Sequence, residues 1–246
     1  MLEVVDLRAG YYRDLDVLKG VSLRAQPAAV TAILGANGVG KSTLLKAVFG
    51  FLAPTAGRVL LGDREITGTP PYRMIERGVA YIPQQPGVFA EMSVEENILI
   101  GAWTFRRDPL RTRQRLHESY ERFPILGTRR ASQAGELSGG QRRMVELARA
   151  LMAEPGFLLV DEPSAGLAPL IADEVYATLD GLRRAGVGIV LVDQDIPRAL
   201  RIADYVYVID LGTNRVEGTP AELGDIERTF WAWSQPQEGG VRPSAT

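Results

Sequence analysis

The chain of 246 residues contains no cysteine. Disulfides, thiol nucleophiles and Cys-ligated zinc are excluded, and the composition agrees with a reducing compartment. A single histidine, His117, rules out a multi-histidine metal site within one chain. Lysine is scarce as well, with Lys19, Lys41 and Lys46 the whole complement. Neither sign of charge is in excess: 28 basic against 30 acidic residues leave a formal net charge of -2. That balance argues against general nucleic-acid binding. No stretch supplies the roughly 18 consecutive apolar residues of a membrane span. The start, Met1-Leu2-Glu3-Val4-Val5-Asp6, lacks the basic flank and apolar core of a secretory signal. The expectation is a cytoplasmic protein that reaches a membrane only through a partner.

What is present is an ordinary globular composition, 46% hydrophobic and 24% charged, with enough length to bury a sizeable core. Short apolar runs alternate with amphipathic stretches, which predicts an α/β fold. Val30–Leu34, Val79–Ile82, Phe157–Val160 and Gly188–Val192 read as strands, the last two apolar on both faces as in a central parallel sheet. Ser42–Phe49 and Leu170–Arg184 read as helices. Val206–Asp210 and Asn214–Glu217, separated at Gly212, read as a hairpin. From Val94 to Ala153 no strand is expected. Arg106–Arg130 is Arg-rich and helical in character, and a further helix runs from Gly140 to Met152, so this block reads as a helical insertion. Gln235–Thr246, rich in Pro, Gly, Ser and Gln, reads as a frayed tail.

Gly35-Ala36-Asn37-Gly38-Val39-Gly40-Lys41-Ser42 fits the Walker A pattern. Its glycines let backbone N–H groups converge on an anion, and the helix that follows adds its positive end. Lys41 would bind the β- and γ-phosphates of a nucleotide, and the Ser42 hydroxyl would ligate Mg²⁺. A chance match is improbable with so few lysines and with a buried strand before the loop. Phe157–Val160 then ends in Asp161 and Glu162. Alone, the two acids could be solvated or capping residues. Beside a phosphate loop, the end of a neighbouring parallel strand is where a Mg²⁺-holding Asp belongs. Asp161 suits the metal, and Glu162 suits a general base facing the attacking water. Leu137-Ser138-Gly139-Gly140-Gln141 opens another helix and forms either a second anion site or a plain N-cap by Ser138. Two phosphate-grade sites in one chain make sense if two chains face each other and each covers the other's ATP.

Walker A loop, Leu-Ser-Gly-Gly-Gln signature and acidic strand, in this order and spacing, resemble the ATP-binding subunits of ABC transporters over roughly Leu2 to Phe230. The resemblance implies a P-loop NTPase core with a mostly parallel sheet, an N-terminal antiparallel β subdomain and an inserted α-helical subdomain. One ABC ATPase domain would span 1–234, with a RecA-like core at about 1–92 and 154–234, a helical subdomain at about 93–153 and a flexible tail at 235–246. It also implies ATP and Mg²⁺ as ligands. The partners implied are a second ABC ATPase, identical or different, transmembrane permease subunits and a solute-binding protein, with no nucleic acid.

Position by position, the resemblance implies nucleotide contacts from Tyr12, Gly35, Asn37, Gly38, Gly40, Lys41, Ser42 and Thr43. Tyr12 matches the aromatic that stacks on adenine, with Tyr11 as the competing choice. Gln84, with Gln85 adjacent, matches the residue that senses Mg²⁺ and γ-phosphate. Metal contacts would come from Ser42, Gln84 and Asp161. Ser138, Gly139, Gly140 and Gln141 would contact ATP held by the opposite chain, and Ser164–Leu167 would cross the dimer interface. Lys41, Glu162 and Gln194 are the catalytic candidates. Gln194 stands where the family usually carries a switch His; it can hydrogen-bond a γ-phosphate but cannot become cationic. His117, in the helical block, cannot replace it.

Asp193-Gln194-Asp195 together with Asp161–Pro169 looks like the importers of branched-chain amino acids, and relatives handling urea or short amides share the pattern. The alternatives are the ATPase of a lipid or lipopolysaccharide exporter and a non-transport ABC-type nucleotide-binding protein. The Arg-rich segment reads as a solvated face or as a contribution to docking the permease. Trp231 and Trp233 read as packing residues.

Overall fold

Val30–Leu34, Phe157–Asp161 and Gly188–Val192 are buried at every residue, as β-branched and aliphatic side chains require when a sheet is covered on both faces. In the computed structural model, which describes residues 1–12, 15–85 and 87–224, these runs are β3, β7 and β8. The order is β1 (Leu2–Ala9), β2 (Leu18–Ala25), β3, α1 (Lys41–Phe49), β4 (Ala56–Leu61), β5 (Arg64–Glu65), α2 (Pro71–Glu76) and β6 (Val79–Ile82). There follow α3 (Val94–Leu99), α4 (Pro109–Arg122), α5 (Pro124–Thr128), α6 (Gly139–Leu151), β7, α7 (Pro169–Arg184) and β8. The described part closes with α8 (Ile196–Ile202), β9 (Tyr205–Asp210), β10 (Thr213–Gly218) and α9 (Pro220–Leu223).

One sheet has the order β10-β9-β3-β8-β7-β6 and is parallel except for β10. The other, β2-β1-β4-β5, is antiparallel. Alternation along the strands divides the core in two. Val30, Ala32 and Leu34 of β3, with Leu158, Val160, Ile189 and Leu191, pack under Ile98, Leu126, Val145, Ala148, Val175 and Leu179 of the helices. Ile33, Leu159, Val190 and Val192 face the other way, onto α1 and onto Leu2, Val4, Leu18 and Val21 of the antiparallel sheet. Each fully buried aliphatic side chain contributes about 1.5–3 kcal/mol, so the parallel strands carry a large share of the burial that holds the fold together.

Between β6 and β7 the described residues form helices and no strand. The Arg-rich stretch is two helices rather than one. Pro124 fixes its own φ and denies the α region to Phe123, whose ψ of 72° breaks α4 from α5. No helix among the described residues is long and apolar enough to cross a membrane. Trp231, Trp233 and the expected tail lie outside the described residues.

Candidate functional site

The carboxyl ends of β3, β6, β7 and β8 open to one edge of the sheet, where ligands of parallel α/β sheets bind. The loop from Gly35 to Gly40 leaves β3 there and enters α1. Gly40 caps the helix at φ 111°, and a Cβ on it would come within 2.9 Å of Leu18 Cδ2. Only glycine allows this approach of loop to sheet. Lys41 is buried, and its ammonium donates to the Gly35 and Ala36 carbonyls at 2.9 and 3.0 Å. Burial pulls its pKa down, while the carboxylates of Glu162, Asp161 and Asp193 favour the charged form. The loop thus holds a caged cation beneath a cavity of about 440 Å³. Asn37, Gly38, Ser42 and Thr43 line that cavity from below, and Gln84, Glu162 and Gln194 from above.

Asp161 ends β7. Its carboxylate accepts from Ser42 Oγ at 2.8 Å and from the Tyr81 hydroxyl at 3.0 Å. Burial and Asp161 push the Tyr81 phenol far up, so it stays a donor. Glu162 sits at φ 43°, a left-handed conformation costly for a residue with a side chain. Its N–H donates to Val192 O at 2.8 Å, and the bend turns the carboxylate from the sheet into the cavity. There Glu162 Oε2 accepts from Gln84 Nε2 at 2.6 Å and Gln194 Nε2 at 2.5 Å. Amides from the ends of β6 and β8 therefore converge on one oxygen of the acid at the end of β7.

Sequence reasoning singled out Gln194 but not what holds it. Asp193 is buried and accepts from the Tyr176 hydroxyl at 2.6 Å, Ser164 Oγ at 3.2 Å and the N–H groups of Gln194 and Asp195 at 2.7 and 3.0 Å. Burial raises its pKa against these bonds. The signal was an acid directly after an all-apolar strand. Arg143 and Glu146 were also missed. They form a buried ion pair at 2.8 Å on the inner face of α6, visible in sequence only as charges one turn apart at apolar positions.

Not every candidate reaches the cavity. Tyr11 lines it, with its hydroxyl 3.5 Å from both Thr43 Oγ1 and Lys46 Nζ, whereas Tyr12 does not line it and is 75% exposed. Ser138, Gly139, Gly140 and Gln141 lie at the start of α6 and contribute nothing to the cavity's wall. Ser138 Oγ accepts from Gln141 N–H at 3.3 Å and the Gln141 side chain returns the bond at 3.1 Å, a capping box. Gly140 has a packing reason: a Cβ there would lie 2.1 Å from Ile171 Cγ2 on α7. His117 is exposed on α4, 3.4 Å from Glu121.

The described residues contain no cluster of three or more His, Cys, Asp or Glu that could hold a metal. A Mg²⁺ ion does not need one. It keeps several waters and takes one or two protein oxygens together with substrate phosphates. The joined hydroxyl and carboxylate of Ser42 and Asp161 are such a donor set, with Gln84 on the wall of the same cavity as Ser42.

A phosphate loop at the end of a parallel strand, with an acid pair on the strand two places away, defines a P-loop nucleotide-binding protein. Residues 18–165 match the ABC transporter domain, and the chain belongs to that family. It is 38% identical to the probable branched-chain amino acid transport ATP-binding protein LivF of Archaeoglobus fulgidus, over 93% of this chain and 96% of the relative. It is 34% identical to the lipopolysaccharide export system ATP-binding protein LptB of Acidithiobacillus ferridurans, over 87% and 88%. Among solved structures, the ADP conformation of MJ1267, an ATP-binding cassette of an ABC transporter, superimposes with a TM-score of 0.81 at 30% identity over 94% of each chain. The chain is an ATP-binding subunit of an ABC transporter and an ATPase.

Proposed function

We propose that this subunit binds Mg-ATP on the Gly35–Thr43 loop, closes as a dimer and hydrolyses ATP to power import of a solute, branched-chain amino acids in the first place. The observation that carries the catalytic part is the convergence of Gln84 and Gln194 on Glu162 above Lys41. Bound Mg²⁺, held by Ser42 and Asp161 with Gln84 at its edge, would neutralise charge on the phosphates. Backbone N–H groups of Asn37, Gly38 and Gly40 cradle the phosphates. Lys41 leaves the Gly35 and Ala36 carbonyls for the β- and γ-phosphate oxygens. Both amides hold Glu162 by Oε2, which leaves Oε1 to take a proton from water. That water attacks the γ-phosphorus as the bond to the ADP oxygen breaks, giving ADP and phosphate. Gln194 adds a neutral hydrogen bond to the γ-phosphate. Tyr11, tied to α1, steadies the loop, and the free ring of Tyr12 stacks on adenine.

The capping box at Ser138 has no phosphate within its own chain. The dimer supplies one, with Ser138 and Gly140 facing ATP on the other subunit. An apolar cleft of about 450 Å³, lined by Phe49, Phe51, Tyr72, Ile75, Ile100 and Trp103, reaches Pro83 beside Gln84. A permease segment seated in it would place the subunit on the inner face of the membrane and communicate with Gln84. The choice of solute rests on the Asp193-Gln194-Asp195 run and on likeness to LivF. Likeness to LptB favours a second reading, export of an envelope lipid. Deleting the gene should reduce ATP-driven uptake of leucine, isoleucine or valine, with urea and short amides next. Normal uptake of all of these with a defect in envelope lipid export would overturn import. For the chemistry, Glu162→Gln should keep ATP bound and accumulate an ATP-bound dimer by light scattering. Turnover at the normal rate would overturn Glu162 as the base.

A further inference from the structure

The inner face of α6 is apolar, with Met144, Val145, Leu147, Ala148 and Leu151 in the core. Arg143 and Glu146 interrupt that face although both are at most 1% exposed. A buried ion pair is weak evidence for stability, because desolvation offsets its attraction. Arg143 Nε has no hydrogen-bond partner, a further cost of placing the side chain here. What the pair accomplishes is visible in its other bonds. The two terminal nitrogens of Arg143 donate to Pro83 O at 2.6 Å and Gln84 O at 2.5 Å. Glu146 accepts from the N–H of Gly87, and Arg149 donates to Gly87 O at 2.9 Å. Backbone groups on both sides of Gln84 are thus bonded to one helix. The Gln84 side chain meanwhile donates to Glu162.

We propose that Arg143 and Glu146 are positioning residues that fasten the Gln84 segment to α6, so that the amide facing Glu162 and the helix start at Ser138 move as one body. The planar guanidinium fork holds the two carbonyls on two separate nitrogens in a fixed geometry, whereas the ammonium of a lysine is a single nitrogen on a flexible stem. Ser138 stands about 7.5 Å along the same helix axis from Arg143. A shift of Gln84 on nucleotide binding is then delivered to the end of α6 that faces the partner's ATP. This consequence rests on the dimer and Gln84 assignments of the proposed function; the fastening itself does not.

The cysteine-free chain makes the test direct. A nitroxide on Gln85→Cys, an exposed position, reports motion of the segment by its spectral line shape. Arg143→Lys and Glu146→Gln should each increase that motion in the full-length protein, measured well below the melting transition, which Glu146→Gln lowers because it leaves a buried guanidinium without its counter-charge. Arg143→Lys should lower kcat about tenfold to a hundredfold with KM for ATP unchanged. In a Gln84→Ala background it should cause no further loss, because it acts through Gln84. In a Glu162→Gln background it should raise the ATP concentration needed for self-association. An unchanged line shape in both variants, or an equal loss of kcat with and without Gln84, would overturn the proposal. Normal turnover of Gln84→Ala, or no ATP-driven association of Glu162→Gln alone, would instead overturn the assignment of Gln84 or the dimer, with the line shape still deciding the fastening.

Discussion

Lys41 is bonded to the Gly35 and Ala36 carbonyls and Ser42 to Asp161 beside a cavity inside one chain, whereas Ser138 and Gln141 bond to each other's backbone at the start of another helix. Both regions begin a helix with glycine beside it, and both have the chemistry of an anion site. They differ in what surrounds them. The loop at Gly35 emerges from the centre of a sheet, so neighbouring strand ends bring Asp161, Glu162, Gln84 and Gln194 to it. The start of α6 lies among helices, where the Arg142 guanidinium donates to the Leu137 carbonyl at 2.7 Å and the capping bonds are made within the helix itself. A phosphate site is therefore made by convergence of elements. A helix terminus whose donors are already capped contributes only when something is placed against it.

The largest effect on this contrast should come from Glu162→Gln. Removing the base while keeping both amides in place should lower turnover about 10²–10⁴-fold with ATP affinity retained, measured by phosphate release and by nucleotide binding. Lys41→Ala should act on binding instead. Losing a buried, hydrogen-bonded cation from the cradle should weaken ATP affinity by about 2–5 kcal/mol, read by calorimetry. Gln194→Ala should lower turnover less than Glu162→Gln does. Its rate against pH should show no step from a switch imidazole, since His117 lies on the outer helix. A Gln194→Ala protein as inactive as the Glu162 variant would reverse the ranking of the two.

Ser138→Ala tests the other half of the comparison. Loss of the cap should cost about 0.5–2 kcal/mol of stability, seen as a lower melting temperature. ATP binding by the monomer should be unchanged, and ATP-driven association of the Glu162→Gln background should weaken. If monomer binding fell as well, the two regions would not be independent. The smallest effect concerns the outer contact of α7 with α8. Hydrogen bonds from Arg198 and Arg201 hold the exposed Asp173 carboxyl below its ordinary value. Its contribution is therefore present above the unfolded carboxyl pKa of about 3.9 and is lost as pH falls through the lower folded value. Asp173→Asn should flatten that part of the acid-unfolding curve and leave turnover at neutral pH unchanged.

Local sequence sufficed wherever one short segment carries its own reason. Val30–Leu34 and Gly188–Val192 could be placed to the residue, because an apolar β-branched run has few ways to be buried. The Gly35–Ser42 loop, the acids at the end of β7 and the cap at Ser138 were legible because glycine spacing, a strand end and a capping box are properties of a few consecutive residues. Only the tertiary structure separated Tyr11, which lines the cavity, from Tyr12, which does not, since adjacent residues of an irregular segment carry no period to distinguish them. Packing alone also brought Asp193 to Tyr176 and Arg143 to Pro83 and Gln84, pairs separated by 17 to 60 positions. Sequence order holds no record of such pairs. A buried charge is identified by what encloses it, and that is decided only when distant elements close around it.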